Sequence, residues 1–520
     1  MKRIVSAFLA LLILLSLASA AGAEFFDEED LPAERRTAID YAAGKGVITG
    51  YPDRDFKPKE TLTRAQAAKI LCVALEGAEK ANDVKAGESG FADVPASHWA
   101  SGFVAYCAGK NIVAGVGEGK FNPDGSLSSA AFAKMLLVAY GHDPEKEGLV
   151  GADWIKNTDK TLKSSGFDKG FNEVNDAPLI RADACQLTYN FVRAAEEKDL
   201  AAQGYPFETF ALSETQTYRT LGRTTLKDGG LICEMAASGV EFQLDCAGTL
   251  WATVSVPKSS IRFRAYVDGV MGDAIVFTKS LKTQPLFSNI APGVHTIRIL
   301  KDTQPEAINF RLTNFSVGAK KETVKPTAQK SFYMEVIGDS ITSGYGFYGV
   351  RKKNVKMSHY SVGPSYGRKA ADLLDADFSI ISRGGIGLQS KAGPGKPTTS
   401  DVLYDYVNYY RDQETKYDFA RKPDVVVVAL GTNDKDTTTY HEQMTKFLAQ
   451  IRERNNDPTL KIVIMHNMMT DRYETLFGQI AAEDPYCWEL KVPRTPKGHP
   501  SMESEAEFAV MLADFIKTIR

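Results

Sequence analysis

The amino-acid sequence predicts a multidomain chain: α-helical repeats, then an antiparallel β-sandwich, then an α/β domain whose parallel sheet is covered by helices. Three observations carry this. A helix–loop–helix pattern recurs up to residue 195. Short strands of alternating apolar and polar residues, separated by turns at regular spacing, fill residues 207–318. From 331 onward near-continuous apolar runs alternate with helical patterns. A length of 520 residues is too great for one ordinary domain, and 43% hydrophobic with 24% charged residues is a globular composition. A formal net charge of −3 gives no reason to expect nucleic acid or an acidic membrane as partner.

Residues 1–23 read as a cleaved secretory signal. Lys2 and Arg3 precede an apolar run, and small residues from Ala18 to Ala23 suit a cleavage site. The alternative is an N-terminal membrane anchor, for which the run is short. No later segment is apolar enough for a span, so the expected product is secreted, without a transmembrane span after cleavage. Six cysteines in an exported chain invite disulfides. Cys72, Cys107 and Cys185 lie in apolar helical patterns and read as small buried hydrophobes. Cys233 and Cys246 are expected to face each other across a hairpin turning near Gly239, where a bridge is geometrically awkward. Cys487 has no evident partner.

The repeats come first along the chain. "YAAGKGVITG" is answered by "YCAGKNIVAG", and "RDFKPKETLTRAQAAKIL" by "GKFNPDGSLSSAAFAKML". A weaker third copy ends "NDAPLIRADACQLTYNFV". In each, Thr, Ser or its replacement stands where a helix N-cap belongs. These residues, over 30–195, resemble S-layer homology modules. The resemblance implies a three-fold helical bundle that binds a cell-wall polysaccharide and holds a bacterial protein at the cell surface. It also implies that Arg64 of "LTRAQ" and Arg181 of "LIRAD" grip an anionic sugar, a task suited to a permanently charged, bidentate guanidinium. The second copy reads "LSSAA" and lacks the arginine. Solvation of helix starts is the plainer role for both side chains.

"AAEEKDLAAQGYP" (194–206) reads as a boundary, the sandwich as 205–318, and "AKKETVKPTAQK" (319–330) as a second linker. Within 331–520, strands are expected at "YMEVIGDS", "DFSIISRGG", "DVVVVALGTND" and "KIVIMHN", and helices near 366–375, 439–453 and 503–519. In a doubly wound sheet ligands bind beyond the carboxyl ends of the strands. Those ends carry Gly338-Asp339-Ser340, then Ser382-Arg383-Gly384-Gly385-Ile386-Gly387, then Gly431-Thr432-Asn433-Asp434, then His466-Asn467. His499 stands just before the last helix. A serine, a glycine-rich turn, an asparagine and a histidine on one edge supply what acyl transfer needs: a nucleophile, oxyanion donors and a base.

"GDSIT", "SRGGIG", "GTND" and "GHP", in that order, resemble the SGNH (GDSL-type) hydrolases across 331–520. The resemblance implies that Ser340 is the nucleophile and His499 the base. The Ser340 N–H, the Gly385 N–H and the Asn433 amide would form the oxyanion hole. One position departs from the family. Three residues before the histidine, where an aspartate is usual, stands Pro496. Losing an orienting aspartate can cost about 10⁴ in turnover. A backbone carbonyl or another carboxylate, such as Asp484 or Glu489, would have to orient the imidazole, or the enzyme is crippled. His466 is the substitute base, His359 falls in a loop, and Asp339 and Asp434 read as turn-forming. Trp488 reads equally as core or as a sugar-stacking ring.

A jelly-roll sandwich containing "SGVEFQLDCAGTLWATV" ahead of such a domain resembles carbohydrate esterase family 2, over about 205–520. That implies removal of acetyl groups from polysaccharide or oligosaccharide hydroxyls by a Ser–His dyad. The alternatives are a GDSL-type lipase or thioesterase, and a catalytically weakened surface protein that binds carbohydrate. No cofactor or metal is expected: the seven histidines are scattered, with no HxH or CxxC.

Overall fold

The computed structural model describes residue 27 and residues 31–520, apart from 52–54, 85–86, 172, 257–259, 280–281, 306, 346–359, 394, 396, 467 and 496–497. The expected signal segment 1–23, His359 and Pro496 therefore lie outside the described residues. Two compact units divide the chain after Phe207. Among the described residues no helix is long and apolar enough to cross a membrane.

The first unit holds helices α1 (Ala33–Gly44), α2 (Arg64–Glu76), α3 (Ala78–Asn82), α4 (Ser101–Gly109), α5 (Ser129–Tyr140), α6 (Trp154–Ser164) and α7 (Arg181–Ala202). α1 packs on α7, α2 on α4 and α5 on α6. Thr63 begins α2 with a reciprocal capping box to Gln66, and Ser128 caps α5 through the Ala131 N–H. Ile180 begins α7 with no side-chain cap. The segments before these three helices close a ring. Leu62 N–H donates to Leu179 O (2.9 Å), Leu179 N–H to Leu127 O (2.7 Å), and Leu127 N–H to Leu62 O (3.2 Å). Each repeat so satisfies a backbone donor of the next, and Leu62, Leu127 and Leu179 are all buried.

The second unit begins with an antiparallel sheet. Its strands are β1 (Phe207–Ala211), β2 (Arg219–Leu221), β3 (Thr224–Lys227), β4 (Gly230–Cys233), β5 (Gly239–Ser255), β6 (Ser260–Val267), β7 (Val270–Thr278), β8 (Thr283–Lys301), β9 (Arg311–Ala319) and β10 (Lys325–Pro326). The path runs β3-β4-β9-β5-β8-β6-β7. β5 and β8 are long, 17 and 19 residues, and their pairing shifts register around Gly248, which sits at φ +84°. Such bulges bend a sheet so that one strand serves both layers of a sandwich. Phe242 and Phe315 stack in the core at 4.2 Å between ring centroids.

The sheet corrects two expectations. β9 lies between β4 and β5, so no hairpin turns at Gly239. Cys233 pairs with Thr224, and Cys246 lies opposite Gly293 and Ala319. All six cysteines are free and buried. The stretch 319–330 is not a loose linker either: Lys325 and Pro326 pair with Gln243 and Phe242.

The parallel sheet consists of β11 (Tyr333–Gly338), β12 (Asp377–Ser382), β13 (Val425–Ala429), β14 (Lys461–Met465) and β15 (Cys487–Leu490), in the order β12-β11-β13-β14-β15. α8 (Tyr366–Leu373) and α12 (Met502–Ile519) cover the face that carries Val336, Val427 and Val463. On the other face α9 (Ser400–Tyr404), α10 (Thr437–Asn455) and α11 (Glu474–Glu483) cover Ile337, Val428 and Ile464. Apolar residues on both faces are why these strands read as unbroken apolar runs. The sandwich shares this core: Leu221, Ala236, Tyr266 and Leu300 pack in one cluster with Met334 and Val336. Arg219 bridges Glu241 (2.6 Å) in the sandwich and Asp377 (2.8 Å) in the parallel sheet.

Candidate active site

The chain leaves β11 towards β12 on one side and later returns to β13 on the other. Ser340, two residues beyond β11, therefore stands at the switch point where a doubly wound sheet opens a crevice. The turn that carries it is tightly specified. Asp339 Oδ1 accepts from the Ile341 N–H (2.9 Å), and Tyr345 N–H donates to Ser340 O (3.0 Å). A Cβ on Gly338 would lie 1.9 Å from Thr342 Oγ1, so only glycine fits there. Burial pushes the Asp339 carboxyl up to about 6, with the Asp434 charge adding and the Thr432 hydroxyl and Ile341 N–H opposing.

Ser340 Oγ lies 2.8 Å from Nε2 of His499. The imidazole packs against the Tyr345 ring at 4.2 Å between centroids, tilted by 44°, and burial lowers its pKa below the ordinary value. Its loop is held from below. Thr495 N–H donates to Met468 O (2.7 Å), and the Thr495 hydroxyl reaches both Gly498 O (2.7 Å) and Met468 O (3.1 Å). Ser501 then caps α12 through the Ser504 N–H. Among the described residues no carboxylate is hydrogen-bonded to the His499 ring. Asp484 pairs with Arg452, and Glu489 accepts from His466 Nε2 (2.9 Å). His466 is thus committed to Glu489 and buried.

Gly385 belongs to a hydrogen-bonded turn, Ile386 N–H to Arg383 O (3.3 Å), and has φ +81° at its third position. Those are the marks of a type II turn, whose third residue favours glycine. Gly384 is required for a different reason: its Cβ would meet the Tyr360 hydroxyl at 2.1 Å. The Gly384 N–H donates to Gln304 Oε1 (2.8 Å), and the Arg383 guanidinium donates to Pro305 O. Asn433 Nδ2 donates to Ile386 O (2.9 Å) and lies 3.4 Å from Asp339 Oδ2. Asp434 ties the same loop down, accepting from the N–H groups of Leu388, Gln389 and Ser390.

In the first unit both singled-out arginines are engaged by the chain itself. Arg64 donates from Nε to Phe121 O (2.8 Å) and from a terminal nitrogen to Ala114 O (2.7 Å), with Phe121 beneath the guanidinium. Arg181 repeats this on Phe56 O (2.9 Å) and Thr49 O (2.8 Å), over Phe56 and Tyr51. Ser129, at the matching position of the second copy, bonds Asn175 instead. Each such residue joins its helix start to the loop of the next copy.

Residues 336–513 match the GDSL-like lipase/acylhydrolase family, and residues 31–68 and 90–133 match the S-layer homology domain. The chain carries a GDSL-like acylhydrolase domain and S-layer homology domains. The third copy, with Arg181, falls outside the matched ranges. The cellulase/esterase CelE of Acetivibrio thermocellus is 32% identical over 220 residues, 41% of this chain and 26% of the relative. The cellulosome-anchoring protein of the same organism is 31% identical over 152 residues, 27% of this chain and 34% of the relative. An acetylxylan esterase / glucomannan deacetylase of Cellvibrio japonicus is 30% identical over 181 residues, 34% of this chain and 49% of the relative. The chain thus spans about a quarter to a half of the length of these relatives. The solved structure of a family two carbohydrate esterase from Cellvibrio japonicus aligns with a TM-score of 0.53 at 20% identity. That alignment covers 60% of this chain and 98% of that one, a likeness of fold.

Three residues that motif reading passes over touch the candidate site. Gln304 lies in a sandwich loop with no motif. Thr495 and Tyr345 sit beside recognised motifs but carry no signature of their own.

Proposed function

We propose that the protein is a cell-surface-tethered carbohydrate O-acetyl esterase. The observation that supports this most is the 2.8 Å approach of Ser340 Oγ to His499 Nε2 beside the Gly385 turn. His499 takes the Ser340 proton as the oxygen attacks the acetyl carbonyl. The oxyanion forms against the N–H groups of Ser340 and Gly385 and the Asn433 amide. The long 3.4 Å contact from Asn433 to Asp339 is weak enough to be exchanged for that oxyanion. His499 returns the proton to the departing sugar alcohol. Water, activated by the same imidazole, then clears the acetyl-serine and acetate leaves. With Pro496 in the usual aspartate position, backbone and packing orient the imidazole, and the pair works as a dyad.

The substrate class, acetylated polysaccharide or oligosaccharide, follows the activities of the relatives and the shared fold. The domain reading is three S-layer homology repeats over 30–195 as a three-fold helical bundle, a jelly-roll sandwich over 205–318 and the esterase domain over 331–520. The repeats hold a cell-wall polysaccharide, with Arg64 presenting what remains of its guanidinium to the anionic groups; Arg181, 6% exposed, supports the bundle rather than the ligand. This places the protein at a bacterial cell surface.

Acetate release from acetylated xylan and glucomannan by the full chain, beside Ser340→Ala, tests the activity. Release that vanishes in the variant supports it. Release absent from the natural chain, with oligosaccharide still bound, would favour a protein that has kept binding and lost turnover. That no carboxylate among the described residues is hydrogen-bonded to the His499 ring favours this second reading.

A further inference from the structure

We propose that Gln304, contributed by the β-sandwich, is a positioning residue for the oxyanion turn of the α/β domain. The inference rests on the proposed esterase activity, and goes beyond it by assigning part of the catalytic framework to the preceding domain.

The loop that follows β8 reaches two segments of the site. Asp302 Oδ1 accepts from the Gly363 N–H (2.7 Å) and Asp302 Oδ2 from the Ser361 hydroxyl (2.7 Å), while Arg264 pairs with Asp302 (3.2 Å). Arg262 donates to Tyr360 O (3.0 Å). These contacts fix the stretch joined to Tyr345 through the Tyr345–Tyr360 bridge, and the Tyr345 ring packs against His499. Two residues further on, Gln304 Oε1 accepts from Gly384 N–H, and Pro305 O receives the Arg383 guanidinium. Asp302 and Gln304 are both buried, 1% and 3% exposed, so these bonds form away from bulk water.

The geometry explains why this matters to chemistry. In a type II turn the central peptide, in this case Gly384–Gly385, can flip at modest cost when both central residues are glycine. A flip would turn the Gly385 N–H away from the site and present a carbonyl in its place, repelling a developing oxyanion. The neighbouring Gly384 N–H, locked on Gln304, and the Asn433 amide on Ile386 O hold the turn from its two sides. Only the second of these clamps comes from within the α/β domain.

The test is steady-state hydrolysis of p-nitrophenyl acetate by the full chain, with Gln304→Met, Gln304→Glu and Ser340→Ala. Methionine keeps the volume and removes the acceptor. Its kcat is expected to fall about tenfold, with KM within about twofold and the melting transition still cooperative. Glutamate keeps an acceptor and adds a charge beside the forming oxyanion. Its kcat is expected to fall with rising pH where the natural chain's does not. A methionine variant with unchanged kcat would overturn the inference alone. So would a loss of kcat, KM and folding together, or a glutamate variant with the natural pH profile. Turnover absent from the natural chain would overturn the esterase reading, and this inference with it.

Discussion

The hydroxyl of Ser340 and the imidazole of His499 meet at 2.8 Å although 159 positions separate them in the chain. One is set by the end of β11, the other by the start of the last helix. In the proposed reaction this contact performs the proton transfer. Ser340→Ala and His499→Asn are each expected to lower kcat by about 10⁴-fold or more, non-additively when combined, because both remove the same unit. Initial rates on p-nitrophenyl acetate with active-site-normalised protein measure this.

Burial holds the His499 pKa below the ordinary imidazole value. Only the neutral ring can accept the serine proton, so activity falls as pH drops through that lowered value. The acid limb of kcat/KM is therefore expected below pH 6.5, the ordinary value. A pH profile with its limb at or above 6.5 would contradict this.

Thr495 ties the histidine loop to Met468 O and Gly498 O. Thr495→Val keeps the shape and removes the hydroxyl. The expected result is a loss of about 1 kcal/mol in stability. A fall in kcat of about tenfold should accompany it, because a slightly misplaced base transfers its proton less well. Denaturant unfolding and turnover on the same preparation separate the two effects.

Glu505 accepts from the Tyr366 N–H (2.7 Å) beneath the nucleophile turn, and burial pushes its carboxyl up to about 8. The folded state favours the protonated form, whereas the unfolded chain ionises near 4.5. The stability from this group is therefore present below about 4.5 and lost as pH rises through about 8. Glu505→Gln has no proton to lose. Its melting temperature is expected to decline less between pH 5 and 9 than that of the natural chain, comparing the two at each pH.

Arg181 joins the third copy to the first through two carbonyl oxygens and two aromatic faces. Arg181→Met is expected to destabilise the first unit by about 2–3 kcal/mol, because two carbonyls lose a charged partner. Arg64→Met should do the same and also weaken binding to purified wall polysaccharide. Thermal unfolding and sedimentation with that polymer are the measurements.

Much of this was legible in the sequence because the α/β domain writes its site locally. Gly338-Asp339-Ser340, Gly384-Gly385 and Asn433-Asp434 each follow an apolar run, and strand ends of a parallel sheet converge. The helices from 366, 437 and 502 follow apolar periodicity, and Asp436 and Ser501 cap the last two. The sandwich was less legible. β5 carries on through a bulge at Gly248 that reads locally as a turn, so one strand looks like two. β9 inserts between β4 and β5 from more than 50 residues away, a long-range choice that no local pattern records. Gln304 was hidden for the same reason: its role exists only once a sandwich loop meets the Gly384 turn.

Trapping the acyl-enzyme tests the Ser340–His499 mechanism at its chemical step. The full chain is mixed with excess p-nitrophenyl acetate, quenched in acid within the first turnovers, digested and analysed by peptide mass spectrometry. The mechanism predicts acetylation on the peptide bearing Ser340, at Ser340 itself, and none there in His499→Asn. Turnover with acetyl on another residue, or with Ser340 unmodified when intermediate accumulates, would contradict it.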